Sequence, residues 1–171
     1  RLQAIEKEKN IEYAEALIEK VAAFAGEFET RFAVVAEKVE SFDWKSVINF
    51  YRQMTQAWRK RGIVGRKEKK RLDEAFSAAM LPVREKLYEQ TQLEIGRREQ
   101  LIAEVGEIDP GNRESGKLLR AVQEKWQACA KAFPLDNRED RKLWARFREV
   151  CEELHNRRME KNRANDEERL Q

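Results

Sequence analysis

Apolar residues recur at Ala14, Leu17, Val21, Phe24, Phe28, Phe32, Val35 and Val39, and every step is three or four positions. That spacing is the stripe of an amphipathic helix. It returns at Val47, Tyr51, Met54 and Trp58, then at Leu72, Phe76, Ala79, Val83 and Leu87. A fourth run holds Leu119, Val122, Trp126 and Phe133, and a fifth holds Leu143, Trp144, Phe147, Val150, Cys151 and Leu154. With three Pro and seven Gly in 171 residues, the chain has few places to turn. Glu, Lys, Arg, Ala and Gln fill the remaining helix positions, and all are good helix formers. The expected fold is all-α, an extended array of antiparallel helical hairpins with long linking helices, about five in number.

The breakers set the expected boundaries. The first helix spans about 3–41, with Gly26 mid-pattern as a place for a small bend. Ser41 or Asp43 is positioned to cap the second helix, about 44–61. Gly62 fits a left-handed closing residue, and Ile63-Val64-Gly65 is an elbow. The third pattern spans about 66–108. It is either one rod kinked at Pro82 or two helices broken near Pro82 or Gly96. Its stretch 88–100 is polar except for Tyr88, Leu93 and Ile95. Asp109-Pro110-Gly111-Asn112 is the clearest breaker. A fourth helix covers about 114–132, and a fifth starts near Arg138 after Phe133-Pro134-Leu135-Asp136-Asn137. From His155 onward almost no apolar face remains. This divides the chain into an N-terminal helix, 1–42, a first helical unit, 43–108, and a second unit with a polar extension, 109–171.

The units echo one another. Tyr51, Met54 and Trp58 match the spacing of Leu119, Val122 and Trp126. Each tryptophan is followed by a connection and then by Leu72 and Phe76, or Leu143 and Phe147. LIEKVAAF at 17–24 is echoed by LIAEVGEI at 101–108. A lone hairpin cannot bury its stripe, and packing against a neighbour solves that. In FDWKSVINFYRQMTQAWRKRGIVGRKEKKRLDEAF the residues Asp43-Trp44, Trp58, Gly62 and Arg66 resemble a unit of the bacterial domain of unknown function 349 family. Trp126, Arg138, Leu143-Trp144 and Phe147-Arg148 resemble a second. The first unit departs at Asp73, where the family pattern has a tryptophan. The second lacks the opening Asp-Trp and the elbow glycine. The resemblance covers about residues 43–161. It implies tandem helical repeats in a cytoplasmic bacterial protein and points to no known activity.

Charge is unevenly spread. The formal net charge is +3. Residues 1–43 hold 6 basic and 10 acidic side chains, whereas 44–75 hold 10 and 3. From Arg59 to Arg71 there are eight basic residues and one acid, Glu68. Arg59, Lys60 and Arg61 fall at a helix C-terminus, where cations offset the dipole, but Lys67, Lys69, Lys70 and Arg71 fall near an N-terminus, where they do not. Structure alone does not ask for that placement. The candidate polyanion-binding residues are therefore Arg52, Arg59, Lys60, Arg61, Arg66, Lys67, Lys70 and Arg71.

Other chemistry is not signalled. No phosphate loop is present, since Gly62 and Gly65 lack the Gly-Lys-Ser/Thr ending. Cys129 and Cys151 with the single His155 have no metal-ligand spacing and read as reduced core or boundary residues. No catalytic constellation, cofactor site, small-molecule substrate site or membrane span is expected. Starting at Arg1 without a Met, the sequence reads as a piece of a longer protein. The first functional expectation is a non-enzymatic module presenting helix faces to protein partners. The second is an RNA- or ribosome-associated factor docking through the basic residues.

Overall fold

The computed structural model describes residues 1–38 and 42–170, and the side chains of 1–34 and 42–170. Among the described residues the chain is all-α, with five helices and no strand. These are α1 (Leu2–Lys38), α2 (Trp44–Lys60), α3 (Arg66–Glu107), α4 (Ser115–Ala132) and α5 (Asn137–Leu170). Ser41 lies outside the described residues. Asp43 caps α2: its Oδ1 accepts from the Ser46 backbone N–H at 3.3 Å and its Oδ2 from the Ser46 hydroxyl at 2.6 Å. Those bonds hold the Asp43 carboxyl below the usual carboxylate range. Their contribution is present at neutral pH and disappears as acid protonates the cap. The breaker after α3 closes through side chains as well. Asp109 Oδ1 accepts from the Gly111 N–H and Asn112 Oδ1 from the Glu114 N–H, both at 2.9 Å. Asp136 caps α5 by accepting from the Glu139 N–H at 3.0 Å.

α3 is a single helix through both Pro82 and Gly96. Pro82 has no N–H for the Ala78 carbonyl. Ala78 is exposed, so water can satisfy that oxygen. No helix among the described residues is long and apolar enough to cross a membrane.

The chain forms two compact units, Arg1–Glu89 and Gln90–Gln171. The division falls inside α3, whereas a sequence-based cut is drawn at 108/109, in the turn. The packing explains the difference, because each unit is three helical segments and each takes one part of α3. In unit 1, Phe24 stacks on Phe50 with centroids 3.7 Å apart and planes 12° apart. Phe28, Phe32, Phe42 and Trp44 form an aromatic cluster with centroids 4.8–6.1 Å apart, so α1 and α2 run antiparallel. α2 meets α3 at Trp58–Phe76 and Arg61–Asp73, again antiparallel. Val21, Met54, Leu72 and Val83 fill the space between the three.

Unit 2 follows the same course. α4 lies antiparallel to its part of α3, with Lys125 Nζ 3.8 Å from Glu104 Oε2. α5 lies antiparallel to α4, where Trp126 stacks on Phe147 at 4.2 Å and 17°. The corresponding pair in unit 1, Trp58 and Phe76, stacks at 4.2 Å and 13°. The repeat written in the spacing is therefore also a repeat in packing: both tryptophans are buried, and each lies on the phenylalanine of the next helix.

Candidate functional site

The elbow between α2 and α3 is tied down from three sides. Arg61 closes α2: its backbone N–H donates to the Trp58 carbonyl at 3.3 Å and its Nη1 to the same oxygen at 2.7 Å. Its Nη2 reaches Asp73 Oδ1 at 2.7 Å, and its guanidinium lies over the Trp58 ring, 4.3 Å from the centroid. Phe76 is as close on the stacked side, so the two cannot share a face and the indole is sandwiched between them. Asp73 Oδ1 also accepts from Trp58 Nε1 at 2.9 Å. Asp73 thus collects the indole N–H and the guanidinium together. In unit 2 the corresponding position is Trp144, whose ring lies 6.1 Å from that of Trp126.

Gly62 does not adopt the left-handed conformation expected of it. α2 closes instead with Arg61 in an extended conformation at φ −57° and ψ 145°. Gly62 is required for a different reason. A Cβ there would overlap the Asn10 carboxamide, which crosses over the elbow from α1 and donates from Nδ2 to the Ile63 carbonyl at 2.9 Å. Gly62→Ala is expected to destabilise the chain by about 1 kcal/mol, the worth of the hydrogen bond that Asn10 must then break. In an Asn10→Ala background the same substitution should cost clearly less. The comparison is a double-mutant cycle in urea, and additive costs would show that Asn10 and Gly62 are uncoupled.

The eight candidate polyanion-binding residues separate into two groups. Arg61 is half-buried and engaged as described. Arg71 donates from Nη2 to Glu68 Oε2 at 2.6 Å and to Glu15 Oε1 at 3.5 Å, and those carboxylates raise its pKa. Arg52, Arg59, Lys60, Arg66, Lys67 and Lys70 are all exposed, and none forms an ion pair among the described residues. Glu68, Asp73 and Glu15 are the acids that face the elbow in ion pairs, and Arg61 and Arg71 already hold them. The six remaining cations thus share one corner with their charge unneutralised by contact.

Unit 2 contains a charged centre that the sequence pattern hides. Arg98 is 0% exposed, and its pair partner Glu94 is also buried. Arg98 Nη1 meets Glu94 Oε2 at 3.1 Å, and Nη2 donates to the carbonyls of Phe133 at 2.7 Å and Cys129 at 3.2 Å. It therefore closes the C-terminus of α4 as Arg61 closes that of α2. Glu94 Oε1 accepts further from Gln90 at 3.0 Å and Arg97 at 2.8 Å. Of the apolar residues in this polar stretch, Tyr88 and Leu93 are exposed and Ile95 is half-buried. The i,i+4 acid–base spacing of Glu94 and Arg98 was visible, but it is also the spacing of ordinary solvated pairs.

Elsewhere, Cys129 and Cys151 are free thiols, and burial pushes the Cys151 thiol above its usual pKa against a hydrogen bond with Gln123. His155 is exposed on α5. No group of three His, Cys, Asp or Glu among the described residues is placed to hold a metal ion. Trp144 is 45% exposed beside a groove of about 350 Å³, lined also by Trp126, Phe147, Cys151 and Glu152. No family model matches the chain, and no curated protein or solved structure matches it at a significant level.

Proposed function

We propose that this chain is a non-enzymatic helical interaction module whose docking surface is the basic elbow between α2 and α3, and that its partner is RNA, free or within a ribosome. One observation carries the reading. The acids that reach the elbow are held by Arg61 and Arg71, leaving Arg52, Arg59, Lys60, Arg66, Lys67 and Lys70 exposed together without a contacting countercharge. Cations crowded at the start of α3 oppose its dipole and raise one another's energy. A phosphate backbone would relieve both costs and release counterions from the nucleic acid. Asn10 and Asp73 hold the corner in shape, so little ordering remains to be done on binding.

The test is fluorescence anisotropy with a labelled single-stranded RNA across a salt series. Affinity should fall linearly in log–log form as salt rises, by about tenfold or more between about 50 and 200 mM. Lys60, Lys67 and Lys70 changed together to Glu should abolish binding while circular dichroism stays helical. Arg61 and Arg71 are left intact in that variant because both serve the fold. Absence of binding by the unaltered chain at about 50 mM salt rules the reading out.

The half-exposed Trp144 beside its groove favours a second reading, a protein partner taken on the α4–α5 face of unit 2. Apolar contact of that kind is largely insensitive to salt, which separates it from the first.

A further inference from the structure

The apex of the elbow is apolar. Ile63 is 80% exposed, and among the exposed large apolar side chains only Leu2 and Leu170 approach or exceed it, both at the ends of the described chain. An isoleucine so exposed is open to contact by a partner, and its setting narrows what that partner is. Its carbonyl is held by Asn10 Nδ2 at 2.9 Å, and Gly62 lies against the same carboxamide, so the side chain is presented from a fixed backbone. Arg59 and Lys60 precede it, Arg66 and Lys67 follow it, and all four are exposed.

We infer that Ile63 is the apolar contact for an unstacked base of single-stranded RNA, with the flanking cations holding the phosphates on either side. The inference rests on the RNA reading and deepens it. Unpaired RNA offers splayed base faces next to phosphates, whereas an A-form duplex hides its bases within the stack. A bound strand that satisfies the cations therefore places a base where Ile63 can cover it. The shape of the charge argues for a strand over a bilayer. Arg52 lies seven residues back along α2 from Arg59, about 10 Å, and Lys70 lies a turn further along α3 than Arg66. A flexible strand can bend over the corner and reach both flanks, but a flat membrane meeting the apex cannot. A single aliphatic side chain is also too little for stable insertion.

The experiment compares Ile63→Ser, Ile63→Leu and the unaltered chain by anisotropy. The probes are a labelled single strand of about 12 nucleotides and a blunt RNA duplex of the same length. Ile63→Ser should weaken single-strand binding about tenfold at every salt concentration, leave the log–log salt slope unchanged, and shift duplex binding by less than about twofold. Ile63→Leu should bind as the unaltered chain does. Equal single-strand affinity for the serine variant overturns the inference, as does an equal loss on strand and duplex. If the serine variant binds normally while the Lys60, Lys67 and Lys70 reversal abolishes binding, the inference falls and the RNA reading stands. If the unaltered chain binds phosphatidylserine vesicles in an Ile63-dependent way and no RNA, both fall.

Discussion

Arg98→Ala is expected to destabilise unit 2 by about 3–5 kcal/mol, the usual cost of removing one partner from a buried ion pair. The substitution strands Glu94 in the interior with only Gln90 and the exposed Arg97 left to meet it. It also removes the guanidinium that joins the Cys129 and Phe133 carbonyls to α3. Urea unfolding followed by circular dichroism measures the loss. The paired replacement Arg98→Met with Glu94→Leu keeps the volume and removes both charges, and should be near neutral or stabilising. A loss below about 1 kcal/mol for the single substitution would mean that water reaches the pair and the closure of α4 does not depend on it.

Trp58→Ala carries a comparable cost, about 3–5 kcal/mol, because it removes a large buried ring. Phe76 loses its stacking partner, Arg61 loses the ring beneath it, and Asp73 loses one of its two donors. Trp58→Phe distinguishes packing from hydrogen bonding. It preserves a ring for Phe76 but leaves Asp73 without the indole N–H, at a cost of about 1 kcal/mol beyond the change in ring size. Trp126→Phe is the control, since the position matching Asp73 in unit 2 is Trp144. Thermal unfolding of the two phenylalanine variants should therefore rank Trp58→Phe as the more damaging. The reverse order would remove Asp73 from the account of the elbow. Under the proposed RNA reading, Trp58→Ala should also weaken binding, because Arg61 and Asp73 shape that corner.

The helices were legible because each stripe depends only on residues three and four apart. Met54 and Trp58, or Val122 and Trp126, state the buried face of their helix without reference to the rest of the chain. Asp43 was legible as one of two candidate caps, and the turns at 109–112 and 133–137 as breakers, for the same reason, since a cap or turn is settled within a few bonds. The basic residues of the candidate site were legible as a list. Their division was not. Whether Arg61 serves the fold depends on Asp73 on the next helix, and the local Glu68–Arg71 pair is joined by Glu15, 56 positions away on α1. The reason Gly62 is glycine lies in Asn10, on another helix, and the local expectation of a left-handed turn fails for that reason.

Spacing and breakers alone established an all-α chain of about five helices and the internal echo of its two tryptophan stripes, since helical periodicity and turn chemistry are local properties, whereas the continuity of α3 through Pro82 and Gly96 was left to the structure. Tertiary structure alone decided that Glu94 and Arg98 are interior, that Leu93 is not, and which cations of the elbow remain uncommitted. Arg98 is buried beside its local countercharge Glu94 only because a distant segment supplies the Cys129 and Phe133 carbonyls, and that meeting is written in no window of sequence.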